Sequence, residues 1–128
     1  MSERSLLDKL GVKPLAKVSV LGVELEQFAH YLQERTDDVS HQLRKDSDMI
    51  IFATGTPREL DRLGKLKGYL KPNGVIWVIR PKGQPDFKEA DIIRAAKAQG
   101  LVDNKICSFS DSLSAMRVVI PLADRPAR

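Results

Sequence analysis

Apolar residues along the chain cluster in short segments separated by polar turns. Two of these segments, Asp48–Ala53 and Val75–Ile79, are apolar at successive positions, as strands buried on both faces of a parallel sheet are. A third, Lys17–Leu21, carries valines at alternate positions, which is typical of a strand with one buried face. Strands are therefore predicted over Lys17–Leu21, Asp48–Ala53, Val75–Ile79, Val102–Phe109 and Ala115–Leu122.

The segments between these strands carry apolar residues at helical spacing. Thr56 and Glu59 form a capping signature with Pro57 at the first helical position, and Asp86 with Glu89 repeats the signature. Gly11 follows the first predicted helix and Gly100 closes the last, as is common at helix C-termini. Helices are therefore predicted over Ser5–Leu10, Glu24–Arg35, Thr56–Leu70 and Asp86–Gly100.

The order of elements, β-α-β-α-β-α-β-β, predicts one three-layer Rossmann-like α/β domain over residues 1–122. Its sheet of about five strands is expected to be mostly parallel and to end in an antiparallel hairpin. Lys71–Gly74 is predicted to form a turn, and Val39–Leu43 forms either a short strand or a loop. The polar tail Ala123–Arg128 is predicted to be disordered.

Composition narrows the class of protein. A chain of 128 residues with a single cysteine has no intramolecular disulfide framework. Its apolar runs are far shorter than the roughly 20 residues that span a bilayer, and its first residues lack the apolar core of a signal peptide. We therefore expect a cytoplasmic protein without membrane association.

The net charge of +4 is unevenly spread along the chain. Residues 1–57 hold seven bases and nine acids, whereas residues 58–128 hold fourteen bases and eight acids. A basic half can mark a surface for phosphates, nucleic acid or an acidic partner. Nucleic acid is the less favoured partner, because few aromatic residues accompany the basic stripe of Arg58, Arg62 and Lys65.

Two resemblances add to this interpretation. The sequence Leu70–Val78, with the pattern L-K-P-N-G before an apolar strand, resembles the approach to the fifth strand of class I SAM-dependent methyltransferases. The resemblance covers residues 48–122, the C-terminal half of that fold, and implies a methyltransferase-like sheet. The whole chain also resembles a family of small bacterial proteins of unknown function, through Leu7–Pro14, Val18–Leu21 and Gly74–Gly83.

The departures from the methyltransferase pattern concern the cofactor. The family has a glycine-rich turn after its first strand, whereas this chain has Gly22-Val23-Glu24 with one glycine. The family also places a ribose-binding acid at the end of its second strand. Between the helix Glu24–Arg35 and the strand that begins at Asp48, this chain has only about 12 residues, whereas the family has two strands and two helices there. Gly22 and Glu24 would then be a vestigial cofactor loop, and no motif supports SAM as a cofactor.

The carboxyl ends of the predicted parallel strands form the candidate site. Ligands of open α/β sheets bind at that edge, and a helix beginning at Thr56 would offer free N–H groups to an anion. Gly55, Thr56, Arg58, Arg80 and Lys82 are therefore candidate ligands of an anion. The alternative is that they are ordinary helix-start and solvated residues.

The central strands are apolar on both sides, so both faces of the predicted sheet must be buried. Some element has to cover the second face, and there are three candidates. The helix Ser5–Leu10 could cover part of it. An edge strand at Val39–Leu43 could move the helix Glu24–Arg35 there, although residues 44–48 are too few for a helical crossover back. A homodimer is the third solution.

No catalytic or metal-binding residues are predicted. His30 and His41 have no partners at metal-ligand spacing, and Cys107 is expected to face the core. The leading hypothesis is a non-catalytic methyltransferase-like domain that binds a partner or a small anionic ligand. A minimal SAM-dependent methyltransferase acting as a dimer and a basic nucleic-acid-associated protein are the alternatives.

Overall fold

The computed structural model describes residues 6–22 and 26–125. The helices are α1 (Leu6–Leu10), α2 (Glu26–Gln33), α3 (Leu63–Lys67) and α4 (Glu89–Ala98), with 3₁₀ segments at Pro57–Arg62 and Leu122–Asp124. The strands are β1 (Val18–Leu21), β2 (Val39–Ser40), β3 (Ser47–Ala53), β4 (Leu70–Pro81), β5 (Val102–Ser108) and β6 (Leu113–Val119). Within the described ranges, no helix is long and apolar enough to cross a membrane. Glu24 and the end of the tail, residues 126–128, lie outside the described residues.

The strands form one sheet in the order β2-β1-β3-β4-β6-β5. β2, β1, β3 and β4 are parallel, while β6 is antiparallel to both β4 and β5. The predicted α/β class and the C-terminal antiparallel hairpin are thus confirmed. The short strand at Val39–Ser40 is the sixth member of a sheet expected to have about five.

The turn predicted at Lys71–Gly74 is wrong, because these residues belong to β4. Ser47 pairs with Leu70 and Met49 with Val75, so four residues of β4 bulge opposite one residue of β3. The bulge is close-packed: a Cβ on Gly74 would lie 2.7 Å from the Leu70 side chain. Proline and glycine, which favour turns, are also the residues that sheets tolerate at bulges.

Helices cover both faces of the sheet, which gives three layers. On the first face, Ile50, Phe52, Ile76 and Val78 pack beneath the 57–67 segment and α4. On the second face, a separate core joins the strands to the first two helices, with members Leu7, Leu10, Phe28, Leu32, Val18, Val20, Met49, Ile51, Trp77 and Ile79. The second face is therefore covered by α1 and α2 of the same chain.

This arrangement depends on the connection from β2 to β3, which passes β1 in only six residues, 41–46, without a helix. Six residues reach about 20 Å, and two strand spacings are about 10 Å, so a loop suffices where a helix would not fit. Arg44 holds the loop by donating to the carbonyls of Val18 and Asp38, both at 3.0 Å, and by an ion pair with the Asp38 carboxylate. Placing β2 outside β1 carries α2 to the second face.

The start of α4 also differs from the prediction. The helix begins at Glu89, and the Asp91 carboxylate accepts the Lys88 N–H at 2.8 Å. Asp86 is therefore not the cap. Gly100, as predicted, ends the helix region with a φ of +77°.

Candidate functional site

The carboxyl ends of β1 and β3 form the switch point of the sheet. β1 leads towards α2 on the second face, whereas β3 leads to the Pro57–Lys67 segment on the first. In open α/β sheets, the crevice between two such strands is where ligands enter. Gly22 follows β1 and Thr54 follows β3 at this point.

Main-chain contact closes this switch point at the level of Gly22. Gly22 has a φ of +75°, and a Cβ built on it would lie 2.3 Å from the carbonyl oxygen of Ala53. Only glycine can make this approach, because any side chain would overlap the neighbouring strand and would also be strained at this φ. The single glycine of the predicted vestigial cofactor loop thus packs β1 against β3.

The segment after β3 is held by Thr54 rather than by a capping box. The Thr54 hydroxyl lies 3.0 Å from the Thr56 carbonyl oxygen and 2.9 Å from the Glu59 carboxylate, and it accepts the Thr56 N–H at 3.3 Å. The Thr56 side chain makes no capping bond, and Pro57 starts a 3₁₀ helix. The capping box predicted from Thr56 and Glu59 is therefore wrong, because the Glu59 carboxylate bonds to the hydroxyl of buried Thr54.

Arg80 is a positioning residue of the next loop. Its side chain is 12% exposed and pairs with Glu89 at 3.7 Å. It donates to the carbonyls of Phe87 at 3.2 Å and Pro81 at 3.3 Å. The guanidinium thus ties the end of β4 to the start of α4, which leaves little of it for a ligand.

The other predicted anion ligands occupy two neighbouring surfaces. Lys82 turns to the β5–β6 hairpin, where its ammonium donates to the Ser108 hydroxyl at 2.7 Å. Gly55, Thr56 and Arg58 are exposed beside the end of β3. A groove of about 470 Å³ opens between Arg80 and α4, lined also by Gly83, Gln84, Pro85, Phe87, Lys88, Glu89 and Ala90.

The end of β2 carries no acid. Ser40 is followed by His41 and Gln42, and its hydroxyl accepts the Gln42 N–H at 3.0 Å. Asp38, which precedes β2, is paired with Arg44. The position at which the methyltransferase resemblance implies a ribose-binding carboxylate is thus occupied by side chains without a carboxylate.

The basic stripe on the 57–67 segment is exposed at Arg58, Arg62 and Lys65. The Arg62 guanidinium lies 5.2 Å from the ring centroid of buried Phe52, so part of the side chain covers the core.

Across residues 6–22 and 26–125, no cluster of three His, Cys, Asp or Glu side chains could hold a metal ion. Burial raises the pKa of the half-buried Cys107 thiol, although Lys105, Lys9 and Arg117 act in the opposite direction.

Sequence reasoning missed a second concave region, at the opposite edge of the sheet. A cavity of about 500 Å³ lies between the α1–β1 connection and the amino ends of β3 and β4. Asp48 lies in its wall and accepts the Lys17 N–H at 2.8 Å, with the Lys71 ammonium at 3.0 Å. Burial acts to raise the pKa of Asp48, but these two donors outweigh it and the pKa lies below its usual value. Only the folded β4 bulge brings Lys71 to this place.

No family model matches the chain, and no curated protein matches its sequence. Solved structures, in contrast, match over most of its length. A SAM-dependent methyltransferase from Aquifex aeolicus superposes with a TM-score of 0.61 and 16% identity, over 91% of this chain and 88% of that chain. Magnesium protoporphyrin IX methyltransferase from Synechocystis, with bound SAM, gives 0.63 and 15%, over 91% and 74%.

Identities this low establish the fold and nothing finer. The strand order, the parallel half and the antiparallel β6 agree with the expected methyltransferase-like sheet. Between α2 and β3, one strand of two residues stands where the family fits two strands and two helices. The chain therefore has a shortened form of the α/β fold of class I SAM-dependent methyltransferases.

Proposed function

We propose that the chain is a non-catalytic methyltransferase-like domain that binds a small anionic ligand or a partner at the carboxyl edge of its sheet. The observation that carries the non-catalytic part of the proposal is the contact of Gly22 with the Ala53 carbonyl. It places main chain at the switch point, where ligands of this kind of sheet approach.

Two further features support the non-catalytic part. A glycine-rich turn lets a cofactor approach the backbone closely, but the only glycine after β1 already packs against β3. The segment after β2 offers Ser40, His41 and Gln42 in place of an acid that could bind ribose hydroxyls. A SAM molecule would therefore lack both of its expected anchors.

The anion-binding part is supported by the charges that remain exposed at this edge. Arg58 is exposed, as are Gly55 and Thr56, which precede it in the segment after β3. Lys82 follows β4, the neighbouring strand. Arg80 contributes by fixing the loop between β4 and α4. Lys82, whose ammonium is bonded to Ser108, has to turn away from the hairpin before it can join Arg58 in binding an anion.

Thermal-shift and calorimetric titrations test this function with SAM, S-adenosylhomocysteine, nucleotides and inorganic phosphate. An anion at about 100 times its Kd should add about 2.7 kcal/mol of stability to the wild-type chain. The double variant Arg58→Ala with Lys82→Ala should lose this effect. Arg94→Ala, which removes an exposed charge on the outer side of α4, should retain it.

The second candidate is a minimal SAM-dependent methyltransferase that completes its site in a dimer. The similarity to a methyltransferase with bound SAM favours it. Micromolar SAM binding together with methyl transfer to any acceptor would replace the first proposal by this one. Binding of phosphate without SAM binding would support the first.

A further inference from the structure

The cavity at the amino edge of the sheet lies away from the carboxyl edge discussed above. Its walls are the chain from Leu10 to Ala16, the amino ends of β3 and β4, and Arg117 of β6. Its volume of about 500 Å³ falls within the range of about 300–1,000 Å³ that is common for small-molecule sites. It is therefore large enough for a ligand of its own.

The polar part of the wall carries a net positive charge, because its one carboxylate, Asp48, is already paired. Asp48 is already engaged by the Lys17 N–H and the Lys71 ammonium, so its charge is balanced. Lys13 and Arg117 have no carboxylate partner among the described residues. Two cations without counter-ions favour an anionic group in the cavity.

Arg117 is also held in place. Its Nε donates to the Asn104 amide oxygen at 2.7 Å, and its guanidinium lies 5.9 Å from the ring centroid of Trp77. One edge of the guanidinium is thereby fixed, and its remaining N–H groups have no hydrogen-bond partner among the described residues. A fixed fork of free donors suits a carboxylate or a phosphate.

The apolar part of the wall includes an unusual leucine. Leu15 is 91% exposed and has a φ of +70°, a left-handed conformation that costs free energy because the Cβ atom lies too close to a carbonyl oxygen. Both flanks of the residue are anchored: Arg35 donates to the Val12 carbonyl at 3.0 Å, and Thr36 donates to the Ala16 carbonyl at 2.6 Å. A strained residue held with its apolar side chain in solvent suggests a binding role rather than a packing role.

We propose that this cavity binds a small amphipathic anion, whose apolar chain packs on Leu15, Met49 and Val75 while its carboxylate or phosphate is bound by Lys13 and Arg117. The two head groups share the chemistry that the cations recognise. The site is independent of the carboxyl-edge function, since none of its lining residues follows a parallel strand at that edge.

Isothermal titration of the full chain with decanoate and with decyl phosphate tests the proposal, with decyl maltoside as the neutral probe of equal chain length. At least one anion should bind saturably, and the neutral probe should bind at least about tenfold more weakly, since one charge-assisted contact is worth about that factor. Binding of decanoate alone assigns a carboxylate ligand, and preference for decyl phosphate assigns a phosphate ligand.

Two variants and two matched controls complete the test. Leu15→Asn, which tolerates a left-handed φ, and Lys13→Gln should each weaken anion binding about tenfold. The same substitutions at other exposed sites, Leu122→Asn and Lys97→Gln, should leave it within about twofold. Arg58→Ala with Lys82→Ala should also leave it unchanged, which separates this site from the carboxyl edge.

Three results would overturn the proposal. The first is that neither anion binds saturably with a Kd below about 1 mM. The second is that decyl maltoside binds as tightly as the anions. The third is that the control variants weaken binding as much as Leu15→Asn and Lys13→Gln do.

Discussion

The indole Nε1 of Trp77 donates a hydrogen bond to the carbonyl oxygen of Leu10 at 2.9 Å, across 67 positions of sequence. Trp77 lies in the central strand β4 and is fully buried, and Leu10 is the last residue of α1. The bond therefore fastens the first described helix to the middle of the second face of the sheet.

Trp77→Phe should destabilise the chain by about 3 kcal/mol. The substitution leaves the buried Leu10 carbonyl without its donor, at a cost of about 1–3 kcal/mol, and also leaves a cavity. Urea unfolding followed by circular dichroism measures the change. Tyr69→Phe, which removes a hydroxyl from a half-buried aromatic residue, should cost less than about 1 kcal/mol. Equal losses in both variants would contradict the role of the bond.

Three glycine-to-alanine variants separate close packing from backbone strain. Gly22→Ala should be the most destabilising, by about 3 kcal/mol, because overlap with the Ala53 carbonyl adds to strain at positive φ. Gly83→Ala has the strain alone, with φ +71° and open space at its Cβ, and should cost about 1–2 kcal/mol. Gly55→Ala has neither and should stay within about 0.5 kcal/mol. Thermal unfolding that ranks the three differently would contradict the closed switch point.

Thr54→Val should destabilise the segment after β3 by about 1–2 kcal/mol. The nearly isosteric side chain keeps the packing but removes the hydroxyl that joins Thr56 and Glu59. Relative to the wild-type chain, hydrogen exchange in Thr54→Val should become faster at residues 55–62 than it does in β3. Thr54→Ser, which keeps the hydroxyl, should restore most of the protection; a failure of serine to do so would assign the effect to packing.

Asp48→Asn should lower stability in a pH-dependent way. The pKa of Asp48 is lowered in the folded chain, so its contribution is fully present above the unfolded value of about 3.9 and is lost as the pH falls through the folded value. We expect a deficit of about 1 kcal/mol at pH 7, modest because the ion pair is partly solvated, and this deficit should shrink as the pH falls below about 3.9. Chemical unfolding at a series of pH values measures it.

The matched control for this series is Asp111→Asn in the exposed turn between β5 and β6. At pH 7 its free energy of unfolding should stay within about 0.5 kcal/mol of that of the wild-type chain, because the residue is exposed. A deficit of Asp48→Asn that stayed constant down to pH 2 would show that the carboxylate charge plays no part.

The main strands and helices could be predicted from local sequence patterns, because buried apolar residues recur at the spacing of a strand or a helix within each segment. Val75–Ile79 and the leucines at 60, 63 and 66 are examples, and all three leucines are fully buried. The bulge at Lys71–Gly74 could not be predicted in this way. It depends on the register with Ser47 and Met49, which a turn-like local sequence does not specify.

The candidate site was predicted less well than the fold, since its polar groups choose partners by distance in space. Glu59 has a capping position in sequence, yet the buried Thr54 hydroxyl takes its carboxylate. Arg80 has the position of a ligand-binding residue, yet the Phe87 and Pro81 carbonyls bind its guanidinium. Leu15 and Arg117 share a cavity although about a hundred residues separate them, and no local pattern indicates it.

The two margins of the sheet differ in a way that bears on self-association. β2 pairs with β1 only at Val18 and Ser19, so that margin offers a neighbouring chain a very short template. β5 is longer, but its register shifts between Asp103 and Lys105, where two opposite charges flank the irregularity. Short, bulged or charged edge strands resist the addition of a strand from another molecule. The short edge strand β2 and the irregular, charged edge strand β5 thus both oppose the addition of strands from other molecules and so oppose aggregation.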